Sequence, residues 1–246
     1  FFFFIYISRI LDELNMYHTV VIGGGCLGAA TAVSIQRKLN KLGNSEKVCL
    51  VEKAVLCAAE SSRHSGIVRS ANADPDASIM ASISTKMWKN LEEHWGVEME
   101  IDQFGAIWIA KKNSDGENPA WSDLSNRMKK ISLVFEEIDP DSAIQKCGTT
   151  LITDTNESYY YEPEAFQLDP SILRSVLYNA IDDNGVELYE KTEVEAIVTT
   201  GNDIKTCITN NGKFDAKNFV NATGAWSSQL FSKIGLKIPV TIEPVS

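Results

Sequence analysis

Hydrophobic residues along this chain fall into short blocks with two rhythms. Thr19-Val20-Val21-Ile22 is a continuous β-branched and apolar run, and Lys47-Val48-Cys49-Leu50-Val51 is another. Short, continuous runs of this kind predict strands. Between them Ala29, Ala30, Ala32, Val33 and Ile35 have helix-compatible spacing. Further on, Ser78 to Trp95 predicts a helix with Ile79, Ile83, Met87 and Leu91 on one face. Phe104 to Ala110 predicts a strand. Asn113 to Asn118, with Gly116 and the following Pro119, predicts a polar loop, and Trp121 to Leu133 a helix. Tyr159 to Pro163 begins an extended connection, and Pro170 opens a helix over Ser171 to Asp183 that Asn184-Gly185 stops. Val186 to Tyr189 and Thr192 to Ile197 predict strands, followed by a strand pair around Asn210-Asn211-Gly212.

The first strand ends abruptly at Gly23-Gly24-Gly25-Cys26-Leu27-Gly28, and the second closes on Glu52. A strand, then GxGxxG, a helix, and a second strand ending in an acid is the order a dinucleotide fold requires. Gly23 permits the tight turn, Gly25 lets the backbone approach a pyrophosphate, and Gly28 lets the helix pack close to the sheet. Cys26 and Leu27 contribute N–H groups at the helix start, where the dipole favours an anion. Glu52 can accept hydrogen bonds from both hydroxyls of a ribose, and its charge disfavours a 2′-phosphate. A glycine turn by itself is a weak signal; the strands, the helix and the acid around it give this one its specificity. The motif does not decide between NAD and FAD.

The chain has 246 residues, 44% hydrophobic and 23% charged, an ordinary globular composition with no internal repeat. Its formal net charge of −10 and pI of about 4.9 oppose binding to phosphate backbones or anionic lipid. Five cysteines, an odd number with no CxxC pair, fit a reducing compartment such as the cytoplasm better than a disulfide framework or a zinc site. The three histidines have no metal-ligand spacing, so no metal is expected. Phe1 to Ile7 is apolar but too short to span a bilayer and lacks the features of a signal peptide. Residues 1–15 are read as an extra segment ahead of Met16.

After Lys53 comes a small-residue, hydroxyl-rich stretch that includes Ser61-Ser62-Arg63-His64-Ser65-Gly66-Ile67-Val68-Arg69. Ser61, Ser62 and Arg63 can donate to a second stretch of phosphate or to a ribityl chain. Later the chain reads Phe219-Val220-Asn221-Ala222-Thr223-Gly224-Ala225-Trp226-Ser227. The four blocks VVIGGGxxGxxxA, VEK, SSxxxGxxR and VNAxGAW, in that order over roughly residues 16–246, resemble the D-amino-acid oxidase, glycine oxidase and sarcosine oxidase superfamily of FAD enzymes.

The resemblance implies a Rossmann-like α/β FAD-binding domain formed by residues 16–80 and 165–235. An interrupted, incomplete α+β substrate domain would comprise 81–164 and 236–246, the chain being a fragment of a longer protein. It also implies that Val194, two residues after Thr192, lies beside the adenine, and that Thr223 and Gly224 allow close backbone approach to FAD. Arg69, in a stretch similar to the IIRHA of sarcosine oxidases, would hold a substrate carboxylate; Asn72 departs from the aromatic residue found nearby in them. His64 would sit near the flavin ring, and the STWH of dimethylglycine-dehydrogenase-like relatives leaves a covalent link open as an alternative. The implied reaction is oxidation of the C–N bond of an amino acid or secondary amine. The electron acceptor, a protein or otherwise, is open, as is a hetero-oligomeric partner. Two alternatives stand beside this reading: a 2-hydroxy-acid oxidase of the same superfamily, and a nucleotide-binding module without turnover.

Overall fold

The computed structural model describes residues 16–72, 74–99, 101, 103–148, 151–239 and 241–242; the segment 1–15 lies outside them. In chain order the elements are β1 (Tyr17–Ile22), α1 (Cys26–Lys41), β2 (Val48–Val51), β3 (Ile67–Val68), α2 (Pro75–Lys89), α3 (Leu91–Trp95), β4 (Ala106–Lys111), α4 (Pro119–Lys130), β5 (Glu136–Ile138) and α5 (Pro140–Cys147). They continue with β6 (Glu157–Glu162), β7 (Phe166–Gln167), α6 (Pro170–Asn184), β8 (Glu187–Tyr189), β9 (Val194–Thr200), β10 (Asp203–Thr209), β11 (Gly212–Asn221) and α7 (Ser227–Ser232). Two compact units result. The first runs to His64, takes in Glu92–Val97 and resumes at Pro170; the second is Ser65–Leu91 with Glu98–Asp169.

The first unit is built on a six-stranded sheet of order β8-β2-β1-β11-β10-β9. The four strands β8, β2, β1 and β11 run parallel, and β10 and β9 are antiparallel additions. All four residues of β2 and the last four of β1 are buried, as continuous apolar runs in a parallel sheet should be. Val20, Ile22, Cys49, Val51, Val194, Cys207, Phe214, Ala216 and Leu230 form the core of one cluster. α1 and α6 pack against each other. The buried Asn184 locks this region: its amide donates to the Trp95 and Ala180 carbonyls at 2.8 Å each, and its own carbonyl accepts from Asn40 Nδ2 at 3.0 Å.

The second unit has a three-stranded antiparallel sheet of order β4-β6-β5 and the short antiparallel pair β3–β7. Its core gathers Ala71, Leu124, Met128, Phe135 and Tyr160, with Trp108 and Trp121 packed against them. Residues 65–80 belong to this unit, whereas the sequence places them with the first. The reason is local: β3 pairs with β7, and the Ser70 and Ala71 amides both donate to Glu162 Oε1 on β6. Residues 92–97 and 236–239 cluster with the first unit instead. The helix expected over Ser78 to Trp95 is two helices, because Asn90 leaves helical geometry at φ −126° with its N–H turned back to the Met87 carbonyl. The predicted apolar face holds only at its end, where Leu91 is buried and Met87 half-buried. Ile79 and Ile83 are exposed, while Ser78 and Thr85 are buried through hydrogen bonds to the 70–72 segment.

Candidate cofactor site

The parallel half of the sheet fixes the site. β1 and β2 end side by side, and the Gly23 N–H donates to the Val51 carbonyl while Ala222 N–H donates to the Ile22 carbonyl. The chain then turns at Gly23, whose φ of +107° excludes other side chains; a Cβ there would stand 2.5 Å from the Ala222 carbonyl oxygen. Gly28 packs closer still, since a Cβ on it would meet the Gly23 carbonyl oxygen at 1.8 Å. Gly25 ends the turn and precedes α1 without a side-chain cap, and the first turn carries no acidic residue. The first-turn amides of a helix have no intrahelical acceptor. Ser61 Oγ accepts from one of them, Cys26 N, at 2.9 Å, which leaves the Ser61 hydroxyl proton to donate elsewhere.

Glu52 stands at the end of β2 with both carboxylate oxygens in use. Oε2 accepts from Gly24 N at 2.7 Å and Oε1 from Ala54 N at 2.8 Å. A carboxylate has about four acceptor positions, so the pair of amides orients Glu52 and leaves capacity for two hydroxyls. On the far side of the cleft the Asn221 side chain accepts from the N–H and hydroxyl of Thr223, at 3.1 and 2.6 Å. This Asx-type turn presents Gly224 at φ +53°, with open space where its Cβ would be.

These segments line one cleft of about 470 Å³. Of the predicted residues it holds Gly23, Gly25, Cys26, Leu27, Glu52, Lys53, Ser61, Val194, Thr223 and Gly224. Lys53 places its ammonium 3.7 Å from the ring centre of Trp226, a cation–π contact at the edge of the cleft. Gly28 does not line the cleft and instead packs against Gly23 and Ala222. Ser62 is turned aside, its hydroxyl donating to the Ala59 carbonyl at 3.0 Å. Arg63 and His64 are exposed and do not line the cleft. Arg69 is in the second unit. Sequence reasoning did not nominate Ala58, Ala59, Glu60, Thr192, Glu193, Trp226, Gln229, Leu230 or Lys233, all of which line the cleft. Trp226 had a signal, as the last residue of the VNAxGAW block; Lys233 had none.

Two opposing effects act on Cys26. A helix N-terminus lowers a thiol's pKa, but burial, helped by Cys57, pushes it up to about 11. Burial wins, so the thiol stays neutral and adds no negative charge beside an anion. Amides at a helix start, an oriented carboxylate one strand away and glycine backbone on both walls make a cradle with the polarity that a dinucleotide's phosphate and ribose require.

A family model described as FAD dependent oxidoreductase, DAO, matches residues 18–246. The chain belongs to that family. FAD is therefore the cofactor, and the choice between NAD and FAD that the glycine motif left open is resolved. The chain is similar to the mitochondrial pyruvate dehydrogenase phosphatase regulatory subunit of Mus musculus, 24% identical over 211 residues, which is 86% of this chain and 23% of that protein. It is also similar to sarcosine oxidase subunit beta of Rhizobium meliloti (strain 1021), 22% identical over 93% of this chain and 54% of that one. Among solved structures, L-proline dehydrogenase from P. horikoshii superposes with a TM-score of 0.80 at 23% identity, covering 94% of this chain and 59% of its own. Glycine oxidase from Geobacillus kaustophilus does so with 0.73 at 21% identity, covering 91% and 59%. At these identities the structures establish the fold, and the chain spans less than two thirds of each of these relatives, from 23% to 59%. No helix among the described residues is long and apolar enough to cross a membrane.

Proposed function

We propose that this protein is an FAD-dependent oxidase or dehydrogenase that oxidises the C–N bond of an amino acid or secondary amine. The observation that carries the reading is the cleft itself, in which the two glycine-bearing turns, Glu52 and Val194 line one cavity. In this reading the first unit is the cofactor domain and the second is part of the substrate domain. The start of α1 and Ser61 hold the pyrophosphate, Glu52 the ribose, and Val194 packs beside the adenine. Ser62, Arg63 and His64 do not line the cleft, so in this reading they meet only the part of FAD that extends beyond it, with His64 noncovalent. Bound FAD supplies a two-electron acceptor. The substrate carbon gives up a hydride and its nitrogen a proton, and water then adds to the imine to release a carbonyl compound and an amine. Arg69 holds the substrate carboxylate, a task that suits a planar guanidinium with its fork of N–H donors.

Anaerobic titration of the FAD-loaded protein with amino acids, N-methyl amino acids and 2-hydroxy acids tests this. Loss of the visible flavin band with an amine substrate supports the proposal. Loss with a 2-hydroxy acid alone would move the protein to C–OH oxidation. Retained flavin that no substrate bleaches would favour a regulatory role, the second reading, which the similarity to the phosphatase regulatory subunit supports. Acid precipitation of the same sample is expected to leave the flavin in the supernatant, and colour in the pellet would refute a noncovalent His64.

A further inference from the structure

The second unit holds a carboxylate that the reading above leaves unused. Glu162, on β6, is 1% exposed. A buried carboxylate needs partners, and here they are three N–H groups instead of a cation. Oε1 accepts from Ser70 N at 2.5 Å and Ala71 N at 3.1 Å, and Oε2 accepts from Trp108 Nε1 at 3.1 Å. The two amides belong to the residues that directly follow Arg69. The indole belongs to the ring on which Arg69 lies, with the guanidinium carbon 4.4 Å from the ring centre. One guanidinium nitrogen, Nη1, also donates to the Ala71 carbonyl at 3.1 Å.

Trp108 is itself held in place. Its ring packs against Trp121 at 5.6 Å and edge-on against Phe135 at 6.1 Å. A negative charge hydrogen-bonded to the indole N–H raises electron density on the ring face, which strengthens the face's hold on a cation. The carboxylate therefore favours the position of Arg69 without neutralising it, and among the described residues no acidic side chain forms an ion pair with Arg69. An aromatic partner occupies the flat face of a guanidinium. An acid would take its N–H edge, the part that recognises a carboxylate in two parallel bonds.

We propose that Glu162 and Trp108 are positioning residues that present the N–H edge of Arg69 to the carboxylate of an anionic ligand, so that acids are selected over their neutral analogues. The inference rests on the assignment of Arg69 to the substrate carboxylate. A purely structural Glu162 would tie the 69–71 segment to β6 and have no bearing on ligand charge.

The test is binding by the FAD-loaded protein, read by calorimetry, of propionate against its neutral analogue propionamide. Glu162→Gln is expected to weaken propionate by on the order of tenfold while changing propionamide less than about twofold and leaving the bound flavin content unaltered. Trp108→Phe, which keeps an aromatic face but loses the bond to Oε2, is expected to give a smaller loss in the same direction, and Trp108→Leu a larger one. In an Arg69→Met background the Glu162 substitution should have no further effect on propionate. Equal weakening of both ligands by Glu162→Gln and by Trp108→Phe, or no change in either, overturns the inference. If Arg69→Met leaves propionate binding intact, the assignment of Arg69 fails as well. If Arg69→Met abolishes it while the Glu162 and Trp108 variants bind as wild type, only the positioning role fails.

Discussion

Replacing Gly28 by alanine sets a methyl carbon 1.8 Å from the Gly23 carbonyl oxygen and 3.1 Å from Ala222 Cβ. Ordinary contact begins near 3.4 Å, so the start of α1 must move by about 1.5 Å or the glycine turn must open. Neither neighbour is a flexible side-chain tip. Overpacking of this kind costs about 1–3 kcal/mol and sometimes more, whereas alanine's better helix propensity returns at most about 1 kcal/mol. Destabilisation wins, and at roughly 2–4 °C per kcal/mol for a chain of this size the melting temperature of flavin-free protein should fall by several degrees.

Gly25→Ala is the matched control. Gly25 sits at φ −73° and ψ 175°, open to any residue, and its Cβ would meet only Ser61 Oγ at 3.2 Å. It should change the melting temperature of the flavin-free protein by less than about 2 °C, equivalent to about 0.5 kcal/mol, yet weaken FAD by tenfold or more if, as proposed, the backbone at Gly25 approaches the pyrophosphate. Thermal melts followed by circular dichroism and FAD titrations followed by flavin fluorescence separate the two effects. A Gly28→Ala protein that melts with the wild type, or a Gly25→Ala protein that loses stability equally, would refute the division of labour between packing and cofactor approach.

Glu52→Gln removes the charge and can orient toward only one of its two amides as an acceptor; FAD affinity should drop about tenfold, and an unchanged dissociation constant in the same titration would count against the ribose role. Asn184→Ala strips donors from the Trp95 and Ala180 carbonyls and the acceptor of Arg37 Nη1, so urea unfolding should show a loss of about 1–3 kcal/mol. Alkylation at pH 8, mapped by mass spectrometry, should reach the exposed Cys147 first. Cys26, with its thiol pushed up to about 11 by burial, is ionised to only a small fraction at that pH, and should react on the order of tenfold or more slower than a thiol at the usual value of about 8.5, after the greater nucleophilicity of a high-pKa thiolate is allowed for. Because the shift is upward, the rate should rise as the pH is raised toward 11. Equal labelling of Cys26 and Cys147 at pH 8 would contradict it.

Signals that act over a few residues were readable in the chain. The uninterrupted runs of β1 and β2, Pro170 at the start of α6 and the Asn210-Asn211-Gly212 turn between β10 and β11 each depend on neighbours within four positions. The same local chemistry marks α5, where the Asp139 side chain accepts from Ser142 N and Gly148 closes the helix at φ +64°; that signal was present and passed over. β5 has three residues, too few to show a period of two. α2 failed for another reason. Its apolar spacing is real, but Ser70 and Asn72 bind Thr85 and Ser78, so a polar stripe faces inward and Ile79 and Ile83 face out.

Two acids make the difference plainest. Glu52 and Glu162 are both carboxylates held by backbone amides. Glu52 was legible because its meaning comes from position, at the end of a strand about two dozen residues after a glycine turn. Glu162 ends a run of three tyrosines, and its donors come from Ser70, Ala71 and Trp108, up to 92 positions away. No spacing rule connects those sites. Two antiparallel registers bring them together: Ala106 opposite Glu162, on the strand that carries Trp108, and Val68 opposite Phe166, just ahead of Ser70 and Ala71. A residue whose function comes from long-range convergence leaves no periodic trace in sequence, and selectivity for ligand charge is where that convergence should become measurable.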